Sequence, residues 1–281
     1  MDNPIVKYPR TPHLEGSKLQ QGDSDHDQVS IKTLRQTWPD TIWGQEEKLD
    51  GANCAVSFND QLSMILQSRG HALRGGARER QFAQFKEWAH WIEGPLMERL
   101  ENRFVMYGEW TFAKHTSFYD KLPHYFHEFD ILDKETGCFL STLARRRLLE
   151  GLPVCRVPVV NAEWPIDQID LRTQLKRSTY TSPDWAANLA RAAEAAGVDP
   201  ARAALETAAN DLAEGFYIKI EDEDHVLARA KFVHPRFLQT ILDNDGHWSE
   251  RPMIRNQLAE GVDLFAAPAH ETDFNPDNMG C

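Results

Sequence analysis

The sequence predicts an α+β fold in which antiparallel sheets are flanked by helices. Three observations predict it: short β-rich runs bounded by turn signals, one long stretch of helical apolar spacing, and an alanine-rich helix pair set between strands. The chain has 281 residues, enough for one large domain or two small ones. Residues 41–47 and 52–58 are β-rich and flank Lys48-Leu49-Asp50-Gly51, and 62–68 pairs back after an Asn59-Asp60 turn. From 77 to 100, Phe82, Phe85, Trp88, Ala89 and Ile92 recur at helical spacing, with a kink expected at Gly94-Pro95. Residues 104–110 and 124–132 read as strands, and Ser141 caps a helix that Gly151 ends. Ser182-Pro183 and Asp199-Pro200 each set a capping residue before a Pro, predicting a helical hairpin over 183–212 that turns at Gly197. Residues 215–224 and 225–233 form a β-hairpin, a helix begins near Pro235, and the tail beyond Gly261 is weakly ordered.

Composition narrows the class. Hydrophobic residues make up 41% and charged residues 26%, which excludes disordered and collagen-like chains. No apolar run approaches the ~20 residues of a membrane span, and the N-terminus lacks the layout of an export signal. None of the four cysteines forms a C-x-x-C pair, so reduced thiols in the cytoplasm are expected. His124 and His127, on a strand, face opposite sides and make no metal pair. The net charge of −12 argues against a generally basic nucleic-acid binder. The acid concentrates after residue 213, so the balance does not describe a local site.

The segment with chemistry in it is Glu47-Lys48-Leu49-Asp50-Gly51. An amine is nucleophilic only when neutral, so a catalytic lysine needs surroundings that lower its pKa. Downstream, in order, stand Ser68-Arg69-Gly70, Tyr107-Gly108-Glu109-Trp110, Phe129-Asp130, Glu214-Gly215 through Lys219, and Arg229-Ala230-Lys231. This series resembles the nucleotidyltransferase motifs of covalent lysyl-nucleotidyl enzymes, the polynucleotide ligases and mRNA capping enzymes, over residues 47–231. The resemblance implies an ATP-grasp-like ligase catalytic domain. Lys48 would attack the α-phosphorus of ATP and expel pyrophosphate. Lys219, Lys231 and Arg69 would hold phosphate oxygens, and these cations, with a metal, would keep the Lys48 amine neutral. Glu214 would meet Mg²⁺ or Mn²⁺, Glu109 would meet the ribose or the same metal, and Phe129 would stack on the base, whose edge Glu47 and Lys48 bracket. Read alone, Glu109 is equally an exposed strand carboxylate and Phe129 a core aromatic. Arg229 departs from the usual Lys of its motif.

Only 50 residues follow Lys231, too few for a full oligonucleotide-binding barrel, and this favours the RNA ligase branch. Asn53 matches an asparagine of the phage RNA ligase 2 branch, whereas Asp50 stands where that branch often has His. Residues 8–17 resemble the opening of bacterial RNA ligases of end repair, which implies RNA with 5′-phosphate and 3′-hydroxyl ends and an end-healing kinase/phosphatase as partners. Arg10, His13 and Ser17 would then grasp a 5′-phosphate, or the arm simply packs on the domain. Arg74 and Arg78, in a glycine-rich loop before a helix, would meet the RNA backbone, and Arg145-Arg146-Arg147 is a second basic cluster; either is also readable as a solvated face. The expectation is therefore a monomeric RNA ligase with a nucleotidyltransferase domain over 1–240, the insertion 183–212, and a partly disordered extension over 241–281. A capping-type guanylyltransferase or DNA ligase with its barrel in trans, and a non-catalytic nucleotide- or RNA-binding relative, are the alternatives.

Overall fold

The computed structural model describes residues 5–19, 28–39, 41–161, 171–208, 212–235, 237 and 252–266. Two sheets carry the fold. The first has six strands: β1 (His13–Leu14), β2 (Gln28–Val29), β3 (Ile42–Lys48), β8 (Val159–Asn161), β9 (Gly215–Glu221) and β10 (Val226–Val233), ordered β2-β1-β10-β9-β3-β8. The second is ordered β5-β4-β6-β7, from β4 (Ala52–Phe58), β5 (Met64–Ser68), β6 (Phe104–Trp110) and β7 (Phe126–Asp133). The second sheet is antiparallel throughout, but in the first β1 runs parallel to both β10 and β2. Two-residue strands carry no periodicity, so the sequence could not announce this mixed edge.

Each sheet buries its outer face. Behind the first, Trp43, Phe216, Ile218, Ile220 and Phe232 pack with Leu34 of α1 (Ile31–Thr37) and Leu171 of α5 (Leu171–Gln174). Behind the second, Cys54, Val56, Phe58, Met106 and Phe126 meet Phe85 and Trp88 of α2 (Ala83–Trp91) and Leu96 and Leu100 of α3 (Glu93–Leu100). The long helix breaks at Ile92 rather than at Gly94-Pro95. Pro95 falls in the first turn of α3, where an N–H has no intrahelical acceptor and its absence costs nothing. The helix α4 (Thr142–Leu148) is capped by Ser141, whose hydroxyl accepts from the Ala144 amide.

In the insertion, α6 (Trp185–Ala195) starts later than Ser182-Pro183 predicts; Ser182 donates to Asp120 and its hydroxyl accepts from the Asp184 amide at 3.2 Å. Asp199 does cap α7 (Pro200–Leu205), and Gly197 turns between the helices at φ +71°. The helix expected from Pro235 lies outside the described residues. Residues 252–266, which the sequence placed in the C-terminal extension, pack Met253, Leu258 and Leu264 against the core behind the second sheet. No helix among the described residues is long and apolar enough to cross a membrane.

Candidate nucleotide-binding site

Lys48 ends β3 in the first sheet, and four residues later β4 begins in the second. The Lys-x-Asp-Gly segment is therefore the crossing between sheets rather than a hairpin turn. Gly51 sits where a Cβ would stand 2.7 Å from the Trp110 carbonyl oxygen, so only glycine lets the crossing lie this close to β6. Gly215 is the mirror case: a Cβ would come 1.8 Å from the Phe232 oxygen on β10.

Strand parity then assembles the site. Pairing sets Lys48 opposite Gly215, Glu46 opposite Tyr217, and Lys219 and Tyr217 opposite Arg229 and Lys231. Directly opposed residues share a face, so all of these line the inner side of the first sheet. Across the cleft, Asn53 pairs with Glu109 and Tyr107 with Asp130. The Lys48 ammonium lies 2.6 Å from Glu214, which is 3% exposed. Glu109 accepts from the Gly51 amide at 3.0 Å, and Asp50 accepts from the amides of Thr116 and Ser117 at 2.8 and 2.7 Å.

The cations of this chain do not by themselves keep the Lys48 amine neutral. Burial opposes its charge, but the carboxylates of Glu214, Glu109 and Asp50 outweigh burial and hold the ammonium above the ordinary lysine range. Burial in turn pushes Glu109 up to about 8 and Glu214 to about 7, against the pull of Lys48. Among the described residues no three His, Cys, Asp or Glu side chains are close enough to hold a metal on their own. Glu109 and Glu214 are hard oxygen donors, and Asn53 Oδ1 beside them is buried without a hydrogen-bond partner. This set fits Mg²⁺ or Mn²⁺ only as part of a shell that substrate oxygens complete.

The other expected residues divide. Lys231 is half-buried on the cleft face and acts electrostatically on Glu214. Lys219 is fully buried, 2.9 Å from Glu46 and 3.1 Å from Asp130, and donates to the Phe129 carbonyl, so its charge is already committed. Phe129 is half-buried with its ring against Tyr8 and Tyr217. Glu47 points to the face opposite Lys48 and bonds Ser178 and Thr179, away from the cleft where a base edge was expected. Arg69 is exposed past the end of β5.

On the RNA side, Arg10 and Arg74 are exposed and the Arg78 side chain lies outside what the structure describes. In the loop before Ala77–Phe82, Glu79 accepts from the Arg74 and Gly75 amides at 3.2 and 2.7 Å. His13 and Ser17, expected on a 5′-phosphate, are buried; Ser17 Oγ lies 2.8 Å from His13 Nδ1 and accepts from the Val233 amide, locking β1 to β10.

Four residues, Arg145, Glu46, Glu128 and Asp130, have roles that sequence reasoning did not assign. Arg145 is 2% exposed and donates to Glu46 of the first sheet and Glu128 of the second, both at 2.7 Å. Asp130 accepts from Tyr8 and from Arg229 at 3.0 Å, and the charges of Lys219, Arg229 and Arg145, with the Tyr8 hydrogen bond, hold its carboxyl below the usual range despite burial. The signal for Glu46 was available: it stands two residues before Lys48 on a strand, hence on the same face.

The site is a lysine at the crossing of two sheets, faced by carboxylates and flanked by cations. The RNA ligase family model matches residues 41–233, and the chain belongs to that family. Among solved structures, the chain resembles a Naegleria gruberi RNA ligase variant with ATP and Mn at 16% identity and TM-score 0.44, covering 83% of this chain and 62% of that one. The same ligase with pyrophosphate gives 19%, TM-score 0.46, and coverage of 83% and 61%. An archaeal ATP-dependent RNA ligase gives 16%, TM-score 0.45, and coverage of 83% and 49%. The chain thus spans at most about three-fifths of these proteins. No curated protein matches the sequence.

Proposed function

We propose that this member of the RNA ligase family is an ATP-dependent ligase that works through a covalent lysyl-adenylate. The observation that carries the reading is Lys48 at the inter-sheet crossing, 2.6 Å from a carboxylate held near neutral pKa. The Lys48 proton passes to Glu214 Oε2, the Nζ lone pair forms an N–P bond to the α-phosphorus, and the P–O bond to pyrophosphate breaks. Glu109, with substrate oxygens, would hold a divalent ion, whose charge offsets the triphosphate and lowers the affinity of Lys48 for its proton, and Glu214 would complete the ion's shell only before or after it carries that proton. Lys231 stabilises charge on the α-phosphate from the same face. The adenylate then moves to an RNA 5′-phosphate, and a 3′-hydroxyl displaces AMP to form the phosphodiester. Exposed Arg10 and Arg74 are the candidates for guiding RNA, an end-healing kinase/phosphatase is the partner that would supply such ends, and a monomer in the cytoplasm is the working form.

Radiolabelled ATP with Mg²⁺ should leave an acid-labile adduct on the wild type and none on Lys48→Ala. Label from GTP instead of ATP, or no label from either, overturns the reading.

A further inference from the structure

Residues 5–14 precede the segment that the family model matches, which begins at residue 41. They cross from one sheet to the other on the cleft side. Val6 exchanges two hydrogen bonds with the Gln67 side chain of β5, and the Tyr107 hydroxyl of β6 donates to the Val6 carbonyl. Further along, Thr11 bonds the Tyr217 hydroxyl of β9, and the Lys231 amide of β10 donates to the Pro12 carbonyl at 2.9 Å. Both sheets are thus tied to one extended strip of chain.

Tyr8 is the centre of that strip. Its ring lies 5.1 Å from Tyr107, 5.7 Å from Phe139 and 5.2 Å from Phe129, perpendicular to the last at 89°. The Arg229 guanidinium sits 5.0 Å over the same ring and 3.8 Å over Phe139. The Tyr8 hydroxyl donates to Asp130, accepts from Arg229 at 2.9 Å and lies 2.8 Å from the Tyr217 hydroxyl. Phe129 and Asp130 are adjacent on β7, so one side chain grips both the aromatic ring on the cleft wall and the buried carboxylate beside it.

Stacking is orientation-dependent, and a half-buried ring holds one orientation only where neighbours block the others. We propose that Tyr8 is a positioning residue for the nucleobase: its ring fixes Phe129, its hydroxyl fixes the Asp130–Arg229 pair, and the N-terminal arm thereby completes the base end of the cleft. The proposal rests on the reading of the cleft as an ATP site. Its opposite is an arm that plugs the cleft and competes with ATP.

Two measurements on the full-length chain separate these: ATP binding by calorimetry without metal, and the ATP dependence of Lys48 adenylation. Tyr8→Ala should raise both Kd and KM about fivefold or more, with the rate at saturating ATP within about twofold of wild type. Tyr8→Phe, which keeps the ring and loses only the hydroxyl contacts, should raise Kd by less than Tyr8→Ala does, and an equal rise would assign the effect to the hydroxyl alone. A purely structural role would lower Tm without this split between KM and kcat. Should Tyr8→Ala fail to fold, Tyr8→Leu, which fills space without an aromatic edge, carries the same expectation. Unchanged or tighter ATP binding in either variant overturns the proposal. A wild type that binds ATP without forming an adduct defeats the ligase reading alone, and the ratio of Kd values still decides the role of Tyr8. A wild type that binds no ATP overturns both.

Discussion

At Glu47, one residue from the nucleophile, chemistry and stability part company. Its carboxyl is buried on the back of β3 and pushed up to about 7, against the bonds from Ser178 and Thr179. In the unfolded chain a glutamate titrates near 4.3. Between those values the unfolded chain gives up a proton that the folded chain keeps, so stability falls as pH rises through that window and levels off above about 7. Glu47→Gln retains the hydrogen bonds without the ionisation. Urea denaturation from pH 5 to pH 8 should show the variant gaining on wild type by on the order of 2 kcal/mol, with the difference complete by pH 8. A constant difference across that range would show that Glu47 does not titrate there. Lys48 obeys the opposite balance because it faces three carboxylates. Parity along β3, not distance in sequence, decides which charge a residue meets.

Whole elements depend on the charges they enclose. Arg145 comes from α4, yet its guanidinium joins Glu46 of the first sheet to Glu128 of the second, and Lys219 joins Glu46 to Asp130 in parallel. Removing one member strands buried carboxylates, which costs about 3–5 kcal/mol. Arg145→Met should lower urea stability by about that amount, and adding Glu128→Gln should recover part of it, a non-additivity expected only of residues in direct contact. A single-variant cost below about 1 kcal/mol would show the bridge to be incidental. This element also marks the limit of what sequence reveals. The strands β4, β5, β9 and β10 were legible because alternation and turn residues are local. The ordered motifs located Lys48, Glu109, Glu214 and Lys231 in one cleft. Arg145-Arg146-Arg147 read as a surface cluster because three consecutive arginines look solvated, whereas Arg145, one helical turn before the buried Leu149, is itself buried. For His13 and Ser17 the sequence left two readings open, a phosphate grip or an arm packed on the domain, because a polar pair is as able to lock two strands as to bind phosphate.

At the scale of the molecule, the catalytic crossing is braced from behind. Asp50 is held by the amides of Thr116 and Ser117, and that stretch is fixed on two sides. The insertion grips it through Lys114, whose ammonium donates to the Glu206 carbonyl, through the Ala208 amide on the Thr116 carbonyl, and through Asn188 on Asp120. Residues 252–266 grip the other side. The Lys114 and Leu122 amides donate to Ile254 and Gln257, and the Gln257 amide returns to Tyr119. Asn256, 1% exposed, closes the contact: its Oδ1 accepts from the Tyr119 amide at 3.0 Å and its Nδ2 donates to the Thr111 carbonyl at 2.7 Å. Asn256→Ala would leave two buried backbone groups without partners, at about 1–3 kcal/mol each. The loss should appear as a lower denaturation midpoint and as faster hydrogen exchange at the Tyr119 amide. If the crossing depends on this brace, Lys48 adenylation should also slow, because the Tyr119 hydroxyl accepts from the Asp50 amide at 2.9 Å. Faster exchange at Tyr119 with an unchanged adenylation rate would confine the C-terminal segment to stability and separate it from the chemistry of the cleft.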